Sequence, residues 1–309
     1  MGAGRFGAVV TAMVTPFDDA GALDVDGAAT LARWLADHGS DGLVVTGTTG
    51  ESPVLSDDES VELWRTVSRA VTIPVIAGTG TSDTRHTIHR TALATEAGVD
   101  AILVVTPYYS RPSQQGLADH FTAVADSTAL PVMLYDIPVR TGRRIAPDTL
   151  LRLARAVPNI LAVKDAAGDL PSTARLVAEV PDGFEVYCGD DHLALAFLAV
   201  GAVGLVSVAS HWAGIEMAQM VSAFAKGDVD TARSLNARLI ESYEFESTDA
   251  HPNPLPAKAA CRALGLPAGQ CRLPLGPAAS ELDGQARLVL SRLGRVPGAL
   301  AGGPGEPLA

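Results

Sequence analysis

Short apolar runs alternate along the chain with longer amphipathic ones. AVVTAMVTP (8–16) precedes DVDGAATLARWLADHG (24–39), and GLVVTGT (42–48) precedes SDDESVELWRTVSRAV (56–71), a period of about thirty residues. The pattern continues as PVIAGTG (74–80) with a helix over 83–97, AILVVTP (101–107) with 113–126, and PVMLYDIP (131–138) with 147–156. ILAVKDA (160–166) with 171–179, FEVYCGD (184–190) with 191–199, and GLVSVAS (204–210) with 214–226 complete it. Strands alternating with helices pair in parallel through right-handed crossovers, and continuously apolar strands are covered on both faces. Eight such units predict an α/β fold, a (β/α)8 TIM barrel over residues 1–226. An open doubly wound sheet is the rival, but no GxGxxG follows the first strand. Gly98 and Gly201 ahead of strands four and eight, and Asp26, Ser56 and Asp83 near helix starts, fit the usual capping asymmetry. Helical stretches at 228–245, 256–264 and 280–294, interrupted by HPNPLP (251–256), predict a C-terminal helical extension over 227–295. The Gly/Pro/Ala-rich VPGALAGGPGEPLA predicts a disordered tail over 296–309.

Composition narrows the class of partner. A formal charge of -12 with no block of like charges argues against a nucleic-acid surface. Cys188, Cys261 and Cys271 are an odd number without CxxC spacing, which predicts reduced packing thiols rather than disulfides or a zinc site. The N-terminus lacks the marks of a secretory signal, and no run of 18 apolar residues occurs, so a cytoplasmic protein without membrane spans is expected.

A barrel of this kind carries its active site at the C-terminal ends of its strands. The polar residues there are Thr48 and Thr49, Tyr108 and Tyr109, Tyr135, Arg140, Lys164, Gly189 and Asp190, and Ser207 and Ser210. In ILAVKDAAG, alternation places Ala162 and Lys164 on one face, the closed interior. A salt bridge, to Asp165 or to a carboxylate of another strand, would explain a lysine there. So would a desolvated amine, because burial disfavours the charged form and only the neutral amine attacks a carbonyl. Tyr135 belongs to the neighbouring strand, as a proton shuttle for that amine or as a rim anchor. The glycines of GTTGE (47–51) suit a tight turn or a close approach to the main chain, and Glu51 has no assigned role.

Other motifs read as structural. GTGTSDT (78–84) lacks GK[ST] and is taken as the third barrel turn and a helix cap. His86, His89, Arg85 and Arg90 are expected on a solvated helix face, Asp190-Asp191 to cap the seventh helix, and Trp34, Trp64 and Trp212 to pack outside the barrel. No metal site is expected from Asp190-Asp191-His192.

Seven segments together resemble the dihydrodipicolinate synthase family: GTTGESPVL (47–55), VTPYYSRPSQQGL (105–117), LYDIPVRTG (134–142), VKDAAGD (163–169), CGDD (188–191), GLVSVAS (204–210) and HPNPLPAK (251–258). The resemblance covers residues 6 to 294 in the family's order and spacing. It implies condensation of pyruvate with L-aspartate semialdehyde, with Lys164 forming the Schiff base and Tyr135 moving protons. Thr48 would link Tyr135 to Tyr109 reaching in from a neighbouring subunit, and Thr49 would hold the pyruvate carboxylate with its hydroxyl and backbone N–H. Arg140 would engage the semialdehyde carboxylate, while the backbone of Gly189 and Val206 lines the pocket. No metal or organic cofactor is implied, and the implied assembly is a homotetramer built as a dimer of dimers. Related lyases and aldolases share the lysine and tyrosine, but the second threonine of GTTGES, the Tyr108-Tyr109 pair and the arginine of PVRTG favour the synthase. A non-catalytic keto-acid-binding barrel is the remaining alternative. Where lysine-inhibited members carry a regulatory site, this chain has Asp57, Ser60, Ser82 and His86 with only Tyr108 retained, which predicts weak or absent inhibition by L-lysine.

Overall fold

The computed structural model describes residues 4–295; the predicted tail over 296–309 lies outside the described residues. Eight strands, β1 (Val9–Ala12), β2 (Gly42–Val45), β3 (Val75–Gly78), β4 (Ala101–Val105), β5 (Val132–Asp136), β6 (Ile160–Asp165), β7 (Glu185–Cys188) and β8 (Gly204–Ser207), close a barrel in sequence order. Every neighbouring pair is parallel, including β1 with β8. Around them run α1 (Val25–Asp37), α2 (Asp57–Ala70), α3 (Thr84–Ala97), α4 (Gln114–Ala125), α5 (Pro138–Thr141), α6 (Pro147–Ala156), α7 (Leu170–Glu179), α8 (Ala194–Ala199) and α9 (Ser210–Ala225). Helices α10 (Val229–Phe245), α11 (Leu255–Ala263) and α12 (Ser280–Arg292) follow, with α10 and α11 both packed on α9.

The layers follow from side-chain alternation. Val10, Val44, Ile76, Leu103, Met133, Ala162 and Val206 fill the barrel interior, while Val9, Leu43, Val75, Ile102, Leu134, Val163 and Leu205 face the helices in a larger core. Local chemistry sets the helix ends. Ser56 and Glu59 form a reciprocal capping box on α2, Asp83 accepts from the first amides of α3, and Gly98 ends α3 in the left-handed region at φ 85°. Asp24, not Asp26, caps α1.

Departures from the sequence-based expectations are local. The strands stop short of the apolar runs that predicted them, because the last residues of each run bend into the loops of the barrel mouth. The eighth helix starts at Ser210 rather than 214 and kinks at Ala213, and the seventh begins as a 3-10 turn over Asp191–Leu193. Asp190 caps that turn by accepting from the His192 amide. Asp191 does not cap it: its Oδ2 turns inward to accept from Ser207 Oγ and the amides of Val208 and Ala209. Arg90 is 3 % exposed, not solvated; its guanidinium binds Asp57 at 2.6 Å and lies over the Trp64 ring, so the expected solvated face of α3 is interrupted by a buried cation. Cys188, Cys261 and Cys271 are free and buried, with burial raising each thiol pKa, to about 12 for the latter two. No helix among the described residues is long and apolar enough to cross a membrane.

Candidate active site

Strands β5 and β6 set the centre of the site by register. Tyr135 and Lys164 are direct partners across the pair, as are the next residues, Asp136 and Asp165. Alternation turns Tyr135 and Lys164 into the barrel and the two aspartates outward. Lys164 is 5 % exposed, and its Nζ lies 4.3 Å from the centre of the Tyr135 ring. Among the described residues Lys164 makes no ion pair. Asp165, the counter-ion that would make this a structural lysine, is occupied by the Ala167 amide at 2.9 Å and the Thr173 hydroxyl at 2.6 Å.

Behind this pair, burial and the nearby charge of Asp165 push the Asp136 carboxyl up to about 7, against the opposing pull of Arg144 and of a hydrogen bond from the Ile145 amide. Gly189 closes the neighbouring side. A Cβ there would sit 2.9 Å from Ala166 Cβ and 3.0 Å from both Cγ and Cε of Lys164, so any larger residue would displace the lysine. Val206 is buried in the interior beneath the mouth.

The GTTGE loop follows β2, and its backbone differs from the sequence expectation. The left-handed residues are Thr46 (φ 59°), just before the motif, and Glu51 (φ 56°), its last residue, and not Gly47 or Gly50. The glycines serve close approach instead, since a Cβ on Gly50 would meet Met13 O and the Thr46 backbone at 3.1 Å. Thr46 is held by donating to Gly78 O and accepting from Trp64 Nε1 at 2.8 Å. Thr49 is 2 % exposed and accepts from Asn253 Nδ2 at 3.0 Å, while Thr48 is half-buried. Within the chain no hydrogen bond joins Thr48 to Tyr135 or Tyr109 among the described residues. Tyr109 is 96 % exposed in a left-handed conformation (φ 72°), projecting from its own barrel. Arg140 is exposed on α5 at the rim.

Two residues were invisible as site components in sequence. Asn253 reaches Thr49 from 204 positions away, and Lys258 pairs with Glu51 at 2.6 Å. Both lie in HPNPLPAK, where a polar asparagine and a lysine amid prolines and alanines were the available signal. Glu246 was missed as well: with Asp190 and His192 it forms a group close enough to share a cation, among the described residues. Burial, reinforced by the charge of Asp191, raises its carboxyl well above the ordinary range.

A buried amine with no counter-ion among the described residues lies beside a phenol at the C-terminal end of a closed parallel barrel, an arrangement chemically able to form a Schiff base with a carbonyl. The dihydrodipicolinate synthetase family model matches residues 5–292, and the chain belongs to that family. A 4-hydroxy-tetrahydrodipicolinate synthase of Acidothermus cellulolyticus is 51 % identical over 279 residues, covering 89 % of each chain. The enzyme of that name from Bacillus subtilis is 47 % identical over 277 residues, 88 % of this chain and 94 % of its own. The crystal structure of dihydrodipicolinate synthase DapA-2 from Bacillus anthracis superposes with a TM-score of 0.90 at 44 % identity, covering 93 % of this chain and 98 % of that one.

Proposed function

We propose that this chain is a lyase that condenses pyruvate with L-aspartate 4-semialdehyde to give 4-hydroxy-tetrahydrodipicolinate, in lysine and diaminopimelate biosynthesis. The observation that carries it is Lys164, buried, without a counter-ion and one rung across from Tyr135. The Lys164 amine adds to the keto carbon of pyruvate, and loss of water leaves an imine. Loss of a methyl proton gives the enamine, whose carbon attacks the aldehyde. The amino group of the semialdehyde then closes the ring on the imine carbon and releases the lysine. Tyr135 supplies and recovers the protons of these steps, with Thr48 and the Tyr109 of a second copy continuing the relay. Thr49 holds the pyruvate carboxylate by hydroxyl and amide, and Arg140 presents its planar fork to the carboxylate of the semialdehyde. Gly189 and Val206 line the pocket with backbone. The chemistry needs no metal or organic cofactor, because the imine is the electron sink.

The projection of Tyr109 supports a shared site, in an assembly we propose to be a dimer of dimers in the cytoplasm. Mass spectrometry after incubation with pyruvate and borohydride tests the mechanism; the expected product is one reduced adduct on Lys164, and its absence overturns the proposal. Turnover with aspartate semialdehyde, but not with sialic acid or 2-keto-3-deoxygluconate, separates the synthase from its sister aldolases. Mixed oligomers of Tyr109→Phe and Lys164→Ala chains should regain activity, and failure to do so argues against the shared site.

A further inference from the structure

Glu51 has no part in the chemistry above, yet it is held more firmly than the threonines it follows. Its side chain is 1 % exposed, in a backbone conformation that favours glycine. Oε1 lies 2.6 Å from Lys258 Nζ, itself 1 % exposed, and Oε2 accepts from the Arg272 amide at 2.9 Å. Lys258 also donates to Gln270 O and sits 4.2 Å over the Phe17 ring. The Arg272 guanidinium donates to Val54 O, in the turn that follows Glu51, and pairs with Glu59 at 2.6 Å. Two positions before Glu51, Thr49 Oγ accepts from Asn253, five residues ahead of Lys258. The loop is thus tied at two points to a single segment of the C-terminal extension.

A buried ion pair must offset the desolvation of both charges, so it is weak evidence for stability and often neutral to it, whereas it fixes where its carriers sit. The Asn253 bond has a further effect. A hydroxyl has one hydrogen to give, and when its oxygen accepts from an amide N–H that hydrogen remains free to donate elsewhere. Asn253 therefore sets the polarity of Thr49 toward an incoming carboxylate.

We infer that Glu51 and Asn253 are positioning residues that preset the Thr48–Thr49 loop as a receptor for the pyruvate carboxylate, with the C-terminal extension as the anchor. This rests on the reading of Thr49 given above. Preorganised donors bind without the cost of ordering them at the moment of binding.

The test is the pyruvate concentration that gives half-maximal borohydride-trapped adduct, a readout independent of the second substrate, measured beside KM, kcat and melting temperature. Asn253→Ala should raise that concentration about tenfold, equivalent to about 1.4 kcal/mol, with the KM for the aldehyde unmoved. Asn253→Asp should raise it further, because a carboxylate turns the Thr49 hydrogen away from the substrate and repels its charge. Glu51→Gln alone leaves Lys258 unpaired; combined with Lys258→Met it should regain the wild-type melting temperature while half-saturation stays raised. Recovery of both together in the double variant would make the pair merely structural and overturn the inference for Glu51. Folded Asn253 variants that half-saturate at the wild-type concentration would overturn it for Asn253, and they decide the question alone if the Glu51 variants do not fold. Wild-type protein that forms no adduct would instead sink the functional reading; normal wild-type adduct with unmoved variants sinks only this inference.

Discussion

Two lysines are buried in this molecule, each with its Nζ just over 4 Å from an aromatic ring, and they differ in one respect. Lys258 lies over Phe17 with the Glu51 carboxylate at 2.6 Å and a backbone carbonyl at 2.9 Å, so its charge is answered. Lys164 lies over Tyr135 with no carboxylate paired to it among the described residues, and its neighbour Asp165 is committed to other donors. Burial alone does not make a lysine a nucleophile. What separates the two is whether a carboxylate is placed against the amine.

The sharpest way to break this contrast is to give both positions the same apolar side chain. Lys164→Met should lower turnover by at least about a thousandfold, as removal of a covalent nucleophile does, and leave the melting temperature unchanged or raised. Lys258→Met should do the opposite, costing about 3–5 kcal/mol by stranding Glu51 in the interior, while the folded fraction still forms the Lys164 adduct. Denaturant unfolding and steady-state assays on both variants check the crossing. A fall in stability for Lys164→Met would mean that its amine is answered after all.

A smaller effect is expected at the phenol. Tyr135→Phe keeps the ring under Lys164 and removes only the hydroxyl, so turnover should fall about 10²–10⁴-fold with pyruvate half-saturation little changed. Loss of pyruvate binding in stopped-flow trapping would assign the tyrosine to binding instead.

The residues one step out on the same rungs make the contrast pH-dependent. Asp136 has its carboxyl raised from an unfolded value of 3.8 to about 7, chiefly by burial. Its protonated form favours the fold, so this contribution is fully present below about pH 4 and is lost as pH rises through 7. His211 and His120 are held down to about 4 by burial, so stability is lost in the other direction, as pH falls from 6.5 toward 4. Asp136→Asn should remove the fall in stability that Asp136 contributes between about pH 4 and 7, a few kcal/mol at most, and leave the opposing slope of the two histidines in the same range in place. A stability–pH profile between pH 4 and 7 unchanged by that substitution would refute the assignment.

The least effect is expected from L-lysine. The cleft of about 360 Å³ that includes Ser82, His86, Arg90 and Tyr108 is bordered by Asp57, whose carboxylate already holds both His86 and Arg90. Steady-state rates should be insensitive to sub-millimolar lysine; half-inhibition in that range would overturn this.

Much of the architecture was legible in the sequence because it rests on periodicity. Eight apolar runs at a spacing of about thirty residues suffice for the closed barrel, and alternation alone places Lys164 inside and beside Tyr135. What was not legible depends on contacts between distant parts of the chain. Arg90 reads as a solvated cation until Asp57 and Trp64 are seen around it. GTTGE reads as a glycine turn, whereas the unusual dihedrals fall on Thr46 and Glu51, because their side chains have partners that local sequence cannot supply. The proposed relay through Thr48 and Tyr109 depends on a side chain, Tyr109, that points away from its own barrel.

The tie between Thr49 and Asn253 spans 204 positions, and that between Glu51 and the Arg272 amide spans 221. During synthesis the chain has all eight strands by Ser207, but the segment that fastens the second loop emerges roughly seconds later at ordinary rates of elongation. A nascent barrel can therefore close its sheet while still lacking a finished seat for its first substrate. Competence arrives as a late event of translation, and truncation at the end of the barrel would leave a chain with its nucleophile in place and no fixed grip on what it attacks.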